Sequence, residues 1–216
     1  MMNSVNELVR IDEFREALNG YHLSKAALQT LSQTELVLLV ATTSTGRNTI
    51  IRQLLKTGDY HFVVSDTTRK PRVNDGLLEQ NGREYWFRTE NEVLTDIRQG
   101  KYLEAAIIHN QQVSGISVRE LEKARDEEKI AVADTEVAGA ENATKYKPDT
   151  IAIFVLPPSF DEWQRRIQHR GTMDPVEFKR RMQSAAKEYA MALEHDYYHF
   201  ITVSYTHLTL PTILRV

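Results

Sequence analysis

The sequence predicts an α/β fold in which a central, mostly parallel sheet is flanked by helices. Three short apolar runs without an interior charge are typical of strands buried on both faces: Leu36–Val40, Ile130–Ala133 and Thr150–Leu156. Stretches with apolar residues at helical spacing separate these runs. Alternation of buried strands with helices is the pattern of a parallel sheet.

Composition excludes several classes of protein. The chain has 216 residues, a net charge of −3 and no cysteine. This charge gives no basic field for nucleic acid, and the lack of cysteine rules out disulfides and thiolate metal sites. We find no apolar run long enough to span a bilayer and no secretory start. The expectation is a cytoplasmic protein without membrane or nucleic-acid partners, and the oligomeric state is not predicted.

Residues 1–35 are expected to form an N-terminal helical extension. A weak apolar stripe runs from Val9 to Leu18 and ends at Asn19-Gly20. Ser24 is placed to cap a second helix. The sequence assigns this extension no role.

The stretch Leu36–Lys56 organises the chain. A buried strand leads into a small, hydroxyl-rich loop, and apolar residues recur at helical spacing from Asn48 onward. Strand, tight loop and helix form the arrangement that directs backbone N–H groups at a phosphate. Of the pattern G-x-x-x-x-G-K-[ST], however, only Gly46 matches. An ordinary strand-to-helix turn is the simpler interpretation of this stretch alone.

A basic loop follows the second predicted strand, Tyr60–Val64. Ser65–Arg72 carries three cations and a proline. Arginine guanidinium groups suit phosphate oxygens, so this loop is a candidate anion clamp. A solvated surface turn is the alternative.

Carboxylates lie in or after two predicted strands. Glu104 lies inside Tyr102–Ile108, where it is placed either to face solvent or to accept hydrogen bonds from a ligand. Asp134 and Glu136 follow the strand Ile130–Ala133, and an aspartate in that place is suited to Mg²⁺. Farther along, Ser117 is expected to cap a helix in a capping box with Glu120.

The segment Ser159–Tyr189 is predicted to be helix, loop and helix. Arginines flank the Gly171-Thr172 break, which is typical either of an exposed helix pair or of a lid that brings cations over a phosphoryl group. They are Arg165, Arg166, Arg170, Arg180 and Arg181.

Together these motifs resemble the guanylate kinase family, a branch of the P-loop nucleoside monophosphate kinases. The resemblance covers about residues 36–203. Its most specific part is Ser65–Arg72, read S-D-T-T-R-K-P-R. The other motifs are Gly76, Glu84–Phe87, Gly100–Glu104, Arg166-x-x-x-Arg170-Gly171-Thr172, Arg180–Met182 and Glu188.

The resemblance implies phosphorylation of GMP to GDP by ATP with Mg²⁺. It also implies an insertion for the nucleoside monophosphate at about 66–118 and a helical lid at about 159–189. The residues that it implies are, for guanine, Ser65, Glu104 and Glu136; for the GMP phosphate, Arg69, Arg72 and Tyr85; for ATP, Thr43, Ser44, Thr45, Gly46, Arg47, Asn48 and Thr49; for catalysis, Arg47, Arg170 and Arg181; and for the metal, Asn48 and Asp134.

The chain departs from the family at several positions. Arg47 stands where the family has Lys, Asn48 where it has Ser or Thr, and Ala41 where it has Gly. The segment Gln111–Ser117 replaces a shorter turn. A module that binds GMP or a protein segment without transferring phosphate is therefore the main alternative, and a kinase for another base is a third. Residues 204–216 are expected to be a non-native tail, because Val203–Thr212 resembles a translated sequencing adapter.

Overall fold

The computed structural model describes residues 8–74, 76–169 and 175–202. Its strands are β1 Leu36–Ala41, β2 Tyr60–Phe62, β3 Asp66–Thr67, β4 Val73–Asn74, β5 Leu77–Leu78, β6 Trp86–Phe87, β7 Tyr102–Ile108, β8 Gln112–Ser117, β9 Ile130–Thr135, β10 Ile151–Leu156 and β11 Tyr198–Thr202.

Helices connect and cover these strands. They are α1 Ile11–Leu18, α2 Lys25–Ser32, α3 Arg47–Thr57, α4 Glu90–Arg98, α5 Val118–Asp126, α6 Val137–Tyr146, α7 Phe160–His169 and α8 Pro175–Leu193. No helix of the described ranges is long and apolar enough to cross a membrane.

A parallel sheet forms the centre of the molecule, with strand order β11-β10-β1-β9-β2. Both faces of β1 are apolar because each covers a separate core. Leu38 packs with Phe154 on one face, and Leu39 packs with Ile50 and Val155 on the other. The predicted α/β fold is confirmed. Ligands of such sheets bind beyond the carboxyl ends of the strands, so the site is expected after β1 and β9.

A second, mixed sheet has the order β6-β3-β8-β7 and is accompanied by the hairpin β4–β5. Here the sequence interpretation was wrong at one point, because the expected turn over Gln111–Ser117 is mostly strand β8. Val113 and Ile116 are fully buried, and the strand pairs antiparallel with β7. The reversal itself lies at His109 and Asn110, which both have positive φ angles.

The two N-terminal helices belong to the same folded unit as the sheets. Helix α1 packs on α4 and β7, with Phe14 fully buried, while α2 packs on α5. The Ser24 hydroxyl accepts from the Ala27 amide and caps α2 as predicted. Between the helices, the Tyr21 hydroxyl donates to the Tyr102 carbonyl (2.6 Å) and accepts from the Tyr102 amide (2.8 Å).

Replacing Tyr21 with phenylalanine should therefore destabilise the protein. The change leaves both main-chain groups of Tyr102 without their partner, and we expect a loss of about 1–2 kcal/mol in the free energy of unfolding. Urea denaturation followed by circular dichroism measures it. Tyr60→Phe is the matched control, because the Tyr60 hydroxyl bonds to none of the described residues and its removal should cost under about 0.5 kcal/mol. An equal effect of both substitutions would contradict the assignment.

Several predicted features lie outside the described residues. They are Arg170, the Gly171-Thr172 break and the tail at 204–216.

Candidate active site

The loop between β1 and α3 forms the centre of the candidate site. Gly46 adopts a left-handed conformation (φ 112°) and Ser44 has a φ of 64°. Helix α3 begins at Arg47, one residue before the predicted start. The Thr45 hydroxyl donates to the Thr42 carbonyl (3.1 Å) and closes the loop on itself. The N-terminus of α3 thus faces the space beyond the sheet, where its N–H groups favour an anion.

Two side chains of α7 hold the loop from outside. The Trp163 indole donates to the Thr43 carbonyl (2.7 Å), and Arg166 donates to the Thr45 carbonyl (3.0 Å). Arg166 is buried and also pairs with Glu162 (2.7 Å), which Arg165 contacts as well. These two arginines were expected either on an exposed helix pair or among the cations of a lid, and the lid stays a prediction. Their contacts to Glu162, one helical turn earlier, direct them to α7 and the loop.

Arg47 extends from the first turn of α3 to the end of β9. Its guanidinium forms an ion pair with Asp134 (2.7 Å) and a long contact to the Thr135 carbonyl (3.4 Å). The Arg47 Nε and the Ser44 hydroxyl are both buried without a hydrogen-bond partner in the described structure. Buried donors without partners are costly, so their presence in one loop indicates that a ligand accepts from them.

The residues predicted to hold Mg²⁺ do not fit the ion in this arrangement. The Asp134 carboxylate is occupied by the Arg47 guanidinium. Asn48 is exposed, and its main-chain carbonyl accepts from the Arg52 Nε (3.2 Å). The Thr49 hydroxyl also lies near the Arg52 guanidinium (3.5 Å). Within the described ranges, no three histidines or carboxylates form a cluster that could hold a metal.

Glu104 lies against α6, so the solvent-facing alternative is excluded. The Thr135 hydroxyl donates to its carboxylate (3.3 Å). A side chain on Gly139 would collide with Thr135 and approach the Glu104 Oε2 to 2.7 Å, so a glycine is required there. Burial raises the pKa of Glu104 to about 7, and the nearby Glu136 and Asp134 carboxylates add to this, while the Thr135 hydrogen bond opposes it.

The basic loop places Arg69 in a preformed cradle. The guanidinium binds Glu79 through two nitrogens (2.5 and 2.9 Å) and stacks over the rings of Tyr85 and Phe87. Glu79 also accepts from the Arg72 amide (2.8 Å), while the Arg72 side chain is exposed. Sequence reasoning missed Glu79. Its only signal was a carboxylate between two turn-forming pairs, Asp75-Gly76 and Asn81-Gly82.

Sequence reasoning also missed a buried network behind β3. Asp66 is almost fully buried, and its carboxylate accepts from the Tyr102 hydroxyl (2.6 Å), Arg119 (2.8 Å) and Arg88 (3.2 Å). Burial raises the pKa of Asp66, against the effect of these three donors. Arg119 lies over the face of Trp86 at 5.4 Å. Through Tyr102 this network ties β3, which leads into the loop that carries Arg69, to β7, which carries Glu104.

Comparison with known proteins shows the family to which this chain belongs. The guanylate kinase family model matches residues 33–203. This chain belongs to the guanylate kinase family. It is 36% identical over 162 residues to a guanylate kinase of Porphyromonas gingivalis, covering 74% of this chain and 84% of that protein. It is 33% identical to one of Corynebacterium jeikeium, covering 78% and 89%.

A solved structure agrees. The guanylate kinase of Anaplasma phagocytophilum superposes with a TM-score of 0.55 at 23% identity, covering 77% of this chain and 76% of that one, which shows a shared fold. The predicted P-loop nucleoside monophosphate kinase fold is thereby confirmed.

Not all the residues that family resemblance suggested are brought together. The loop contacts the end of β9 through Arg47, and β9 contacts Glu104 through Thr135. Arg181 and Glu188 of α8 line a cleft of about 140 Å³ with the loop, and burial raises the pKa of Glu188. Two residues expected at the guanine site take no part in these contacts. Glu136 is exposed at the start of α6, and the Ser65 carbonyl accepts from the Trp86 amide (2.9 Å).

Proposed function

We propose that this guanylate kinase family protein transfers the γ-phosphoryl group of ATP to GMP, giving GDP and ADP. The observation that carries the proposal is one line of contacts from the loop to the half-buried Glu104: Arg47 to Asp134 and Thr135 on β9, and Thr135 to Glu104. A phosphate loop and a carboxylate that accepts from a base thus meet at one sheet edge, which is the arrangement that a transfer between two nucleotides requires.

Glu104 would recognise guanine. Its carboxylate, once ionised, accepts the N1–H and N2–H of guanine side by side, whereas adenine offers no such donor pair and would leave the buried charge without partners. Ser65 and Glu136 would complete the contacts to the base. The pKa of about 7 means that ionisation and binding are coupled near neutral pH.

Arg69, Arg72 and Tyr85 would hold the GMP phosphate. Glu79 and two aromatic rings fix the Arg69 guanidinium in one orientation before the phosphate arrives. Such preorganisation lowers the entropy that binding costs. Arg72, with its exposed side chain, would close on the phosphate from the solvent side.

In the transfer step, an ionised oxygen of the GMP phosphate attacks the γ-phosphorus of ATP. The bond from that phosphorus to the bridging oxygen breaks, and ADP leaves with the electron pair, so no general base is needed. Mg²⁺ generally accompanies ATP in this family. The residues that would position ATP are Thr43, Ser44, Thr45, Gly46, Arg47, Asn48 and Thr49, with the cations Arg170 and Arg181 contributed by the lid.

The same proposal covers the organisation of the chain. Residues 66–118 would be the insertion that binds the nucleoside monophosphate, 159–189 the lid, and 1–35 an N-terminal extension, of which α1 and α2 pack on α4, β7 and α5. The cytoplasmic location stays a prediction.

A coupled assay of ADP release, with ATP and Mg²⁺ supplied, tests the function. We expect GMP-dependent turnover of about 1 s⁻¹ or more, within the ordinary range of enzymes. AMP and UMP, tested as acceptors and as competitors, should be at least about 100-fold poorer, because neither offers the donor pair. Preference for another base would overturn the guanine assignment. Binding of GMP without turnover would favour the binding module.

A further inference from the structure

We propose that the Arg47 guanidinium takes the place of the divalent cation at the donor loop, so that this chain binds the polyphosphate of a nucleotide without a metal ion. The inference concerns the donor half of the proposed function and rests on it.

The first observation is where the guanidinium lies. A cation held by Asp134 would lie between the end of β9 and the loop, and the Arg47 guanidinium occupies that space, 2.7 Å from the carboxylate. A metal ion brought there would have to displace the guanidinium or lie beside a like charge. The shared position therefore has one occupant, and the chain itself supplies it.

The second observation is what remains free on that guanidinium. One nitrogen binds Asp134 and another approaches the Thr135 carbonyl, but Nε has no partner among the described residues. The Ser44 hydroxyl of the same loop is buried without a partner as well. Two buried donors that face no protein acceptor suit phosphate oxygens, which accept directly and do not require an ion between.

The third observation is that the first turn of α3 offers a metal no ready replacement ligand. Asn48 is exposed, and the Thr49 hydroxyl lies within 3.5 Å of the Arg52 guanidinium. Mg²⁺ requires nearly octahedral oxygen ligation and loses its waters reluctantly, so these positions give it little advantage over solvent.

Charge balance predicts the strength of this binding. Arg47 with Asp134 carries no net charge, whereas a divalent cation with Asp134 would carry one positive charge. Attraction for the phosphates is thus weaker, but it is present at all times and independent of the metal concentration.

Calorimetric titration with ADP tests the inference without turnover. The wild-type protein is titrated in about 1 mM EDTA and again in about 5 mM MgCl₂, and we expect the two dissociation constants to agree within about threefold. In the double variant Arg47→Lys with Asn48→Ser, the compact ammonium and the new hydroxyl leave Asp134 open. Here Mg²⁺ should strengthen ADP binding by about tenfold or more.

A tenfold or larger gain with Mg²⁺ in the wild-type protein would overturn the inference, whether or not the double variant folds. GMP is titrated into the same samples, so that the proposed function is judged separately. If GMP binds and Mg²⁺ strengthens ADP binding, the inference alone is lost. If ADP binds under neither condition, the donor site fails, and with it both the inference and the kinase function.

Discussion

Glu104→Gln should lower kcat/KM for GMP by about 10²- to 10³-fold. The amide replaces one acceptor oxygen by an NH₂ donor, which then faces a donor of guanine, and the charge that strengthens both hydrogen bonds is lost. The coupled assay at saturating ATP measures the effect. Glu16→Gln, an exposed change on α1, is the control and should leave the kinetics unaltered.

The pH dependence of kcat/KM in the wild type and in Glu104→Gln separates base recognition from a structural effect. Because guanine requires the ionised carboxylate and the pKa of Glu104 in the free protein is about 7, kcat/KM of the wild type should fall about tenfold from pH 8 to pH 6. The variant should show only the smaller change due to the GMP phosphate, whose second pKa is about 6. Equal pH profiles would remove Glu104 from the base site.

The free energy of unfolding should fall over the same rise in pH that increases kcat/KM. Folding raises the pKa of Glu104 from 4.5 to about 7, so between these values the folded protein binds a proton that the unfolded chain does not. Stability therefore decreases as the pH rises through this window. Gln has no carboxylate to ionise in the folded protein, so at pH 8 the variant should be about 1–3 kcal/mol more stable than the wild type. A variant with lower activity and lower stability would indicate misfolding instead.

Arg69→Ala should raise the KM for GMP by about 100-fold and destabilise the free protein by about 3 kcal/mol. The arginine supplies the charge for the phosphate, and it also pairs with Glu79, which is only 8% exposed. Removing one member of a buried pair leaves the other charge without its main compensation. Steady-state kinetics and urea denaturation measure the two effects on one preparation.

Arg72→Ala is the matched comparison. Its side chain is exposed and only its main-chain amide binds Glu79, so we expect a higher KM for GMP with stability unchanged within about 0.5 kcal/mol. If Arg69→Ala altered the KM for GMP without altering stability, the Arg69–Glu79 ion pair would contribute nothing measurable to the free energy of unfolding.

Local signals in the sequence predicted much of this fold, because each element depends on its own residues. The buried runs became β1, β9 and β10, and Ser24 and Ser117 cap the helices expected of them. The capping box at Ser117 was wrong. Its hydroxyl accepts from Arg119, and the Glu120 carboxylate turns away to the Val64 amide (3.1 Å) and Lys123 (2.6 Å).

What the sequence could not predict depends on partners distant in the chain. Asp66 and Arg119 are 53 residues apart, and Arg166 reaches the loop carbonyl of a residue 121 positions earlier. No spacing rule connects such pairs. Arg47 shows the same limit. The sequence shows that Arg47 departs from the family pattern. The contact of its side chain with Asp134 follows only from the pairing of β1 with β9.

The packing of the N-terminal helices has a consequence for how the protein folds. Tyr21 and its partner Tyr102 are separated by 81 residues, and Phe14 is covered by α4, more than 70 positions away. During synthesis, α1 leaves the ribosome well before anything that covers its apolar face. Contacts of such sequence separation form slowly, since a long loop must close first. The first two helices are thus synthesised early and packed late, and in the interval the nascent chain exposes an apolar surface that is prone to aggregation.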